Sequence, residues 1–281
     1  MKILDYKEAK HFCSGYQATA GPSTMSIARF LQSIKRPNLK EGAAGFNDLR
    51  DCLLRNSERS LFLSVSNLRR SLDLMMSSSA GWAYVTLYYG AFYAASALIG
   101  MFGGHIDAPS HLVEVQDGSP GKQEFKVFGR SGFSGRSTFK GSHQIFWDLF
   151  YKACLTLQPW VDPALTFAIK PVGSDPDWQI RNRNDLNYNS YSSIELSRAF
   201  QLKFDPAARP ISFPGVLNTQ FEVTEGLIAL TLNCAVDFGL DTDALAPLTP
   251  TGKRSVKLKD LVFNVTPADL SHRVTPARVC R

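Results

Sequence analysis

The sequence has few of the residue patterns that form disulfides or bind metals. Its five cysteines are widely spread over 281 residues without a CxxC pair, and its five histidines are equally scattered. An odd number of separated cysteines in a chain of this length is typical of reduced thiols in a cytosolic protein. We therefore expect a cytoplasmic protein with no metal site and no cofactor.

Formal charge is absent from residues 74–104, which contain no Asp, Glu, Lys or Arg. A stretch of this length could span a bilayer, but its Ser, Gly and Tyr residues dilute the hydropathy and its flanks lack a clear basic bias. The N-terminus, MKILDYKEAKHF, is too charged for the apolar core of a signal peptide. The sequence favours a buried helix without membrane contact, and a membrane-inserted effector using residues 82–104 is the weaker alternative.

Helical periodicity dominates the rest of the chain. Residues 82–102 are apolar nearly all round, which is typical of the central helix of a bundle, and their tyrosines are expected in the core. Other segments have apolar residues at three- and four-residue steps, as in helices with one buried face. These segments are residues 27–34, 46–75, 143–157 and 215–238.

Strand signals are confined to two places. Residues 112–115 and 124–128 flank a turn-rich loop and predict a β-hairpin, and residues 255–265 form a basic strand-like stretch. The predicted fold is mainly α, a helical bundle with an inserted β-hairpin and a short β-containing C-terminal tail. The expected parts are an N-terminal helical extension (1–57), the bundle (58–240) with its insertion (about 106–141), and a basic tail (241–281).

The most unusual segment is QIRNRNDLNYNSY, residues 179–191, which has two arginines, four asparagines and two tyrosines. Arg and Asn side chains can hold a phosphate and a nucleobase edge, and Tyr can stack or donate a proton. The modest net charge of +6 also favours a nucleic-acid partner without requiring one. We expect a helix that begins near Asp175 or Asp177, because either can cap it.

On such a helix, Arg183 and Asn187 share a face with Asn184 beside them, and Asn184 and Tyr188 continue the same polar stripe. Arg181 lies on another side, where it can pair with Asp185. Three interpretations stay open for the stripe: a structural hydrogen-bond network, a phosphate- or RNA-binding site without catalysis, and a catalytic site. The partner of the stripe could be the same stripe of a second subunit across a two-fold axis.

The order of these motifs resembles the HEPN superfamily, small helical domains of prokaryotic toxin–antitoxin and anti-phage systems. The likeness is carried by residues 88–95 (YYGAFYAA), by His143 and by residues 183–188 (RNDLNY), and it covers about residues 58–200 with an insertion near 105–141. The resemblance implies an up-and-down helical bundle that forms a homodimer. Many members of the family are metal-independent ribonucleases.

In that family an Arg holds the scissile phosphate, and a His four to six residues later moves protons at the ribose 2′-hydroxyl. This chain departs from the pattern, because Asn187 stands where the motif has its His, and Asn cannot act as a base near neutral pH. The resemblance implies Arg183, Asn187 and Tyr188 as catalytic residues. It assigns Arg181, Asn184 and His143 to RNA or phosphate binding, although His143 can also simply begin a helix.

Two functional hypotheses from different classes follow. The first is an HEPN-like component of a defence or toxin–antitoxin system that binds RNA and can cleave it without metal. The second is a catalytically inactive dimerisation or adaptor subunit that docks a larger nuclease or ATPase partner through the hairpin (111–128) and the basic tail. The Asn in place of His favours the second hypothesis, whereas the retained Arg, Asn and Tyr favour the first.

Overall fold

A computed structural model describes residues 1–16, 26–34, 37–43, 45–77, 79–203 and 215–240. The strand-like stretch predicted at 255–265 and the whole basic tail lie outside these residues. The described chain is mainly helical with one small antiparallel sheet, which confirms the predicted fold class at that level. The α-helices are α1 (Tyr6–Ser14), α2 (Ile27–Ser33), α3 (Phe46–Met76), α4 (Ala80–Met101), α5 (Ser142–Cys154), α6 (Trp178–Tyr188), α7 (Ser190–Lys203) and α8 (Gly215–Asp237).

The centre of the fold is α4, as its uniformly apolar sequence predicts. It packs against α3 on one side and α8 on another. Small residues let these helices approach closely: a Cβ added at Gly100 would lie 2.2 Å from the Ser57 hydroxyl oxygen. Buried hydroxyls also join the helices, since Ser64 donates to the Gly90 carbonyl at 2.7 Å and Thr224 donates to the Leu87 carbonyl at 3.1 Å. In the part of the chain that the structure describes, no helix is both long and apolar enough to cross a membrane.

The predicted hairpin is present, but it is not a separate appendage. The sheet contains β1 (Asn38–Lys40), β2 (His105–Asp107), β3 (His111–Asp117) and β4 (Glu124–Phe128) in the antiparallel order β1-β4-β3-β2. The hairpin strands β3 and β4 therefore lie between two short strands that the sequence did not predict. Leu112, Val113 and Phe125 are fully buried, so the insertion contributes to the same core as the helices.

The N-terminal segment also joins this core. Helix α1 was not predicted, although Asp5 and Glu8 form a capping box at its first turn. Its Tyr6 ring packs against Phe238 at 5.1 Å, beyond the end of α8. The expected boundary between residues 57 and 58 falls inside α3, which is one continuous helix of 31 residues. Residues 1–14 are thus packed into the bundle rather than set apart from it.

Candidate functional site

Buried amides hold the first turn of α6 against the bundle. The Gln179 side chain donates to the Tyr151 hydroxyl at 2.9 Å and accepts from the Gln220 amide at 3.0 Å. Asp177 occupies the position before the helix, as expected, but its carboxylate does not cap the helix. It accepts a hydrogen bond from the Gln144 side chain at 2.8 Å instead. These contacts orient the next turn of α6, which contains Arg183.

The Arg183 guanidinium lies over two tyrosines of α4. Its central carbon is 5.1 Å from the centre of the Tyr88 ring and 6.0 Å from that of Tyr89. One terminal nitrogen donates to the Tyr89 hydroxyl at 3.4 Å, while Nε and the other terminal nitrogen donate to Asn184 Oδ1 at 3.2 and 2.7 Å. We call Arg183, Asn184, Tyr88, Tyr89 and His143 the Arg183 cluster.

Arg183 forms no ion pair with a carboxylate within the described part of the chain. Its side chain is half-buried, so water compensates the charge only in part. A guanidinium has five N–H groups. Three are used in the bonds to Tyr89 and Asn184, which leaves one N–H on each terminal nitrogen. A partly buried cation with two spare donors is suited to bind an anion.

His143 completes the cluster from the first turn of α5. Its Nδ1 lies 2.7 Å from the Tyr88 hydroxyl, and that hydroxyl also accepts from the Trp147 indole N–H at 3.3 Å. If Tyr88 donates to His143, every polar group of this chain of contacts has a partner, and the imidazole carries its hydrogen on Nε2. Burial raises the pKa of Tyr88, which keeps its hydroxyl protonated and able to donate.

Two effects keep His143 neutral. Burial lowers the pKa of its imidazole, and the positive charge of Arg183 lowers it further. The Nε2 atom makes no hydrogen bond to any residue that the structure describes. With Tyr88 as the donor to His143 Nδ1, the cluster offers an N–H of a neutral imidazole beside the two spare N–H groups of Arg183.

The other residues predicted for the site lie apart from this cluster. Arg181 pairs with Asp175, not with Asp185 as expected, because the side chain turns back toward the residues that precede the helix. Asn187 and Tyr188 are exposed, and 78% of the Tyr188 surface is accessible. These two residues line a shallow cleft with Trp82, at the beginning of α4. The expected single stripe is thus divided between two places on α6.

Sequence reasoning missed the role of Tyr88 and Tyr89, because all four tyrosines of α4 were expected in the core. Tyr84 and Tyr88 are indeed fully buried, whereas Tyr89 and Tyr93 are partly exposed. The spacing of Tyr89 and Tyr93 from Trp82 is visible in the sequence, but the exposure of Trp82, which shows that this side of α4 is open, is not. Positions seven and eleven residues later lie on nearly the same side of a helix. We call residues 82, 86, 89, 93 and 96 the outer stripe of α4.

Helices α4 and α6 run in opposite directions along this surface. Arg183 contacts Tyr89, and Tyr188, later in α6, shares a cleft with Trp82, which is earlier in α4. The surface therefore places a cationic group at one end and exposed aromatic rings at the other. No group of three or more His, Cys, Asp or Glu among the described residues is arranged to hold a metal ion.

No protein-family model, no curated protein and no solved structure matches this chain. The HEPN resemblance thus stays a prediction from the sequence. A mainly helical architecture is compatible with many activities, so function depends on the chemistry of the site. The site contains a cation, a neutral imidazole and exposed aromatic rings.

Proposed function

We propose that the Arg183 cluster binds a phosphate group of RNA. The observation that carries this proposal is the half-buried Arg183 guanidinium, which has two spare N–H groups and no carboxylate partner among the described residues. Arg is favoured at phosphate sites because its planar fork of donors matches the phosphate oxygens. The Nε2–H of His143 adds a neutral donor beside it.

Exposed aromatic rings favour RNA over a small free anion as the ligand. Trp82 and Tyr188 are 63% and 78% exposed and share one cleft, at the other end of the surface that α4 and α6 form with Arg183. Unstacked bases of single-stranded RNA gain free energy by stacking on such rings. The positive net charge of +6 also favours RNA, because it attracts a polyanion.

Within this proposal, the chain is an HEPN-like component of a defence or toxin–antitoxin system. Cleavage of the bound RNA would need a group that accepts the 2′-hydroxyl proton. Asn187 cannot do so, and His143 with its hydrogen on Nε2 is a donor at the exposed nitrogen. Binding without cleavage is therefore the activity that the geometry of the cluster supports best.

The test measures binding and cleavage of single-stranded RNA in the presence of EDTA. Arg183→Gln removes the charge but keeps most of the stem, and Arg198→Gln makes the same change at an exposed arginine of α7 that pairs with Glu195 at 3.0 Å. We expect Arg183→Gln to weaken RNA binding at least about tenfold, since a charge-assisted phosphate contact is lost. Arg198→Gln should bind within about twofold of the wild type, since this arginine lies outside the Arg183 cluster and already pairs with a carboxylate.

The same experiment separates the alternatives. Cleavage in EDTA that disappears in Arg183→Gln would make the cluster a metal-independent ribonuclease site and require the other His143 tautomer. Equal RNA binding by folded wild type and folded Arg183→Gln would contradict the proposal. In that case the second hypothesis, an adaptor without RNA chemistry, takes its place.

A patch of exposed apolar side chains favours this second function. Trp82, Tyr188, Tyr191 and Ile194 are between 50% and 78% exposed at the junction of α4, α6 and α7. Large exposed apolar residues in one area are typical of protein interfaces. As a contact surface for a homodimer or a larger defence protein, this patch is better placed than the hairpin. The edges of the hairpin strands are already paired with β1 and β2. A dimer by light scattering that binds no RNA would support it.

A further inference from the structure

A groove of about 350 Å³ opens beside the Arg183 cluster, between the outer stripe of α4 and β2. We call it the His105 groove. Its volume is within the range of small-molecule sites. Aromatic and polar side chains share its wall, among them Phe92, Tyr93, Phe146, Asn56, Ser60 and His105.

The groove and the Arg183 cluster are neighbours, joined by the rings of Phe92 and Tyr93. The Phe92 ring lies 5.0 Å from the His143 ring and 4.3 Å from Phe146, so it borders both sites. Tyr93 is 6.5 Å from Tyr89 between ring centres. These two tyrosines are one turn apart on α4, about 6 Å along the axis. A single nucleotide can therefore reach from the phosphate position at Arg183 into the groove.

His105 lines the groove, and its Nε2 is buried without a hydrogen-bond partner among the described residues. Burial lowers the pKa of His105 to about 4, against an opposing effect of Asp107 and a reinforcing one of His111. The imidazole is therefore neutral at pH 7, and the groove carries no positive charge from this residue.

We propose that the His105 groove binds the base of the nucleotide whose phosphate is held by Arg183. This inference rests on the proposed phosphate-binding function and adds a specific place for the base. A planar heteroaromatic ring matches the wall, because Phe92, Tyr93 and Phe146 offer aromatic contacts. Asn56 and Ser60 offer polar groups to the edge of that ring.

The test fills the groove without touching the Arg183 cluster. Ser96 lies in the groove on α4, is half-buried, and donates its hydroxyl hydrogen to the Phe92 carbonyl at 2.9 Å. Ser197 on α7 is the matched control, because it is also half-buried and donates to the Ser193 carbonyl at 2.9 Å. Each serine is changed to Phe in the full chain. Thermal unfolding first shows that both variants fold, and ligand binding is then measured.

The probes are the four ribonucleoside 5′-monophosphates and ribose 5-phosphate, which lacks a base. Each is used to displace labelled single-stranded RNA from the protein. We expect at least one monophosphate to displace RNA from the wild type and from Ser197→Phe about tenfold better than ribose 5-phosphate does. This advantage should vanish in Ser96→Phe.

The failures of the two proposals are distinguishable. If Arg183→Gln binds RNA and ribose 5-phosphate like the wild type, the phosphate site is wrong and the base site falls with it. If Arg183→Gln weakens every probe but Ser96→Phe keeps the advantage of the monophosphates, only the base site is wrong. The same conclusion follows if no monophosphate competes better than ribose 5-phosphate with the wild type.

Discussion

The two halves of the segment 179–191 are both rich in polar side chains, each with two asparagines, but they have very different surroundings. In the first half, Gln179 is buried in a hydrogen-bond network and Arg183 is packed on tyrosine rings. In the second half, Asn187 and Tyr188 face solvent. Amide, cation and phenol groups on one helix thus acquire a role from their neighbours on other helices. Position along α6 decides which neighbours they meet.

The largest expected difference between the two halves is in stability, and a matched pair of amide substitutions measures it. Gln179→Leu leaves the buried Tyr151 hydroxyl and Gln220 amide without a partner that the wild type provides. We expect it to lower the free energy of unfolding by about 2–3 kcal/mol, since each unsatisfied buried group is costly. Asn187→Leu should change it by less than about 0.5 kcal/mol, because the side chain is exposed. Urea unfolding measures both, and similar values for the pair would contradict the comparison.

A second pair of substitutions removes the hydroxyl of one buried tyrosine, Tyr88, and of one exposed tyrosine, Tyr188. The Tyr88 hydroxyl joins His143 and Trp147, so Tyr88→Phe leaves both without that partner. The expected loss is about 1–2 kcal/mol of unfolding free energy. Tyr188→Phe, at a residue that is 78% exposed, should have an effect below about 0.5 kcal/mol. Thermal and urea unfolding give the values, and an equal loss in both variants would show that Tyr88 is not a hydrogen-bonding centre.

The smallest expected effect is a change in the titration of His143. Arg183 lowers the pKa of this imidazole in addition to burial. Arg183→Gln should therefore raise the pKa of His143, while Asn187→Ala should leave it unchanged. Imidazole NMR signals followed against pH measure both. An unchanged pKa in Arg183→Gln would mean that the two groups are not electrostatically coupled.

The same shift has a consequence for stability. A histidine with a lowered pKa in the folded protein is protonated more readily in the unfolded chain. Its contribution to stability is therefore complete above the unfolded value of 6.5 and is lost as the pH falls below it. In Arg183→Gln this loss should be smaller, since part of the shift is removed.

The long helices could be predicted from the sequence because the spacing of their apolar residues shows which side of each helix is buried. The apolar pattern of residues 46–75 and the uncharged run of α4 each specify a buried surface on their own. Shorter elements could not be predicted in this way. Strands β1 and β2 have three residues each, and they exist as strands only because β4 and β3 supply their hydrogen bonds.

For the candidate site, the sequence alone identifies the segment with unusual polar groups and the buried aromatic helix that precedes it. The contacts of Arg183 with Tyr88, Tyr89 and His143, which Asn187 and Tyr188 do not share, follow only from the fold. The reason is physical: helical spacing relates residues within one helix, but the desolvation and hydrogen bonding of a side chain depend on groups that reach it from other helices. Those groups come from α4 and α5, which are distant in sequence and adjacent in the folded chain.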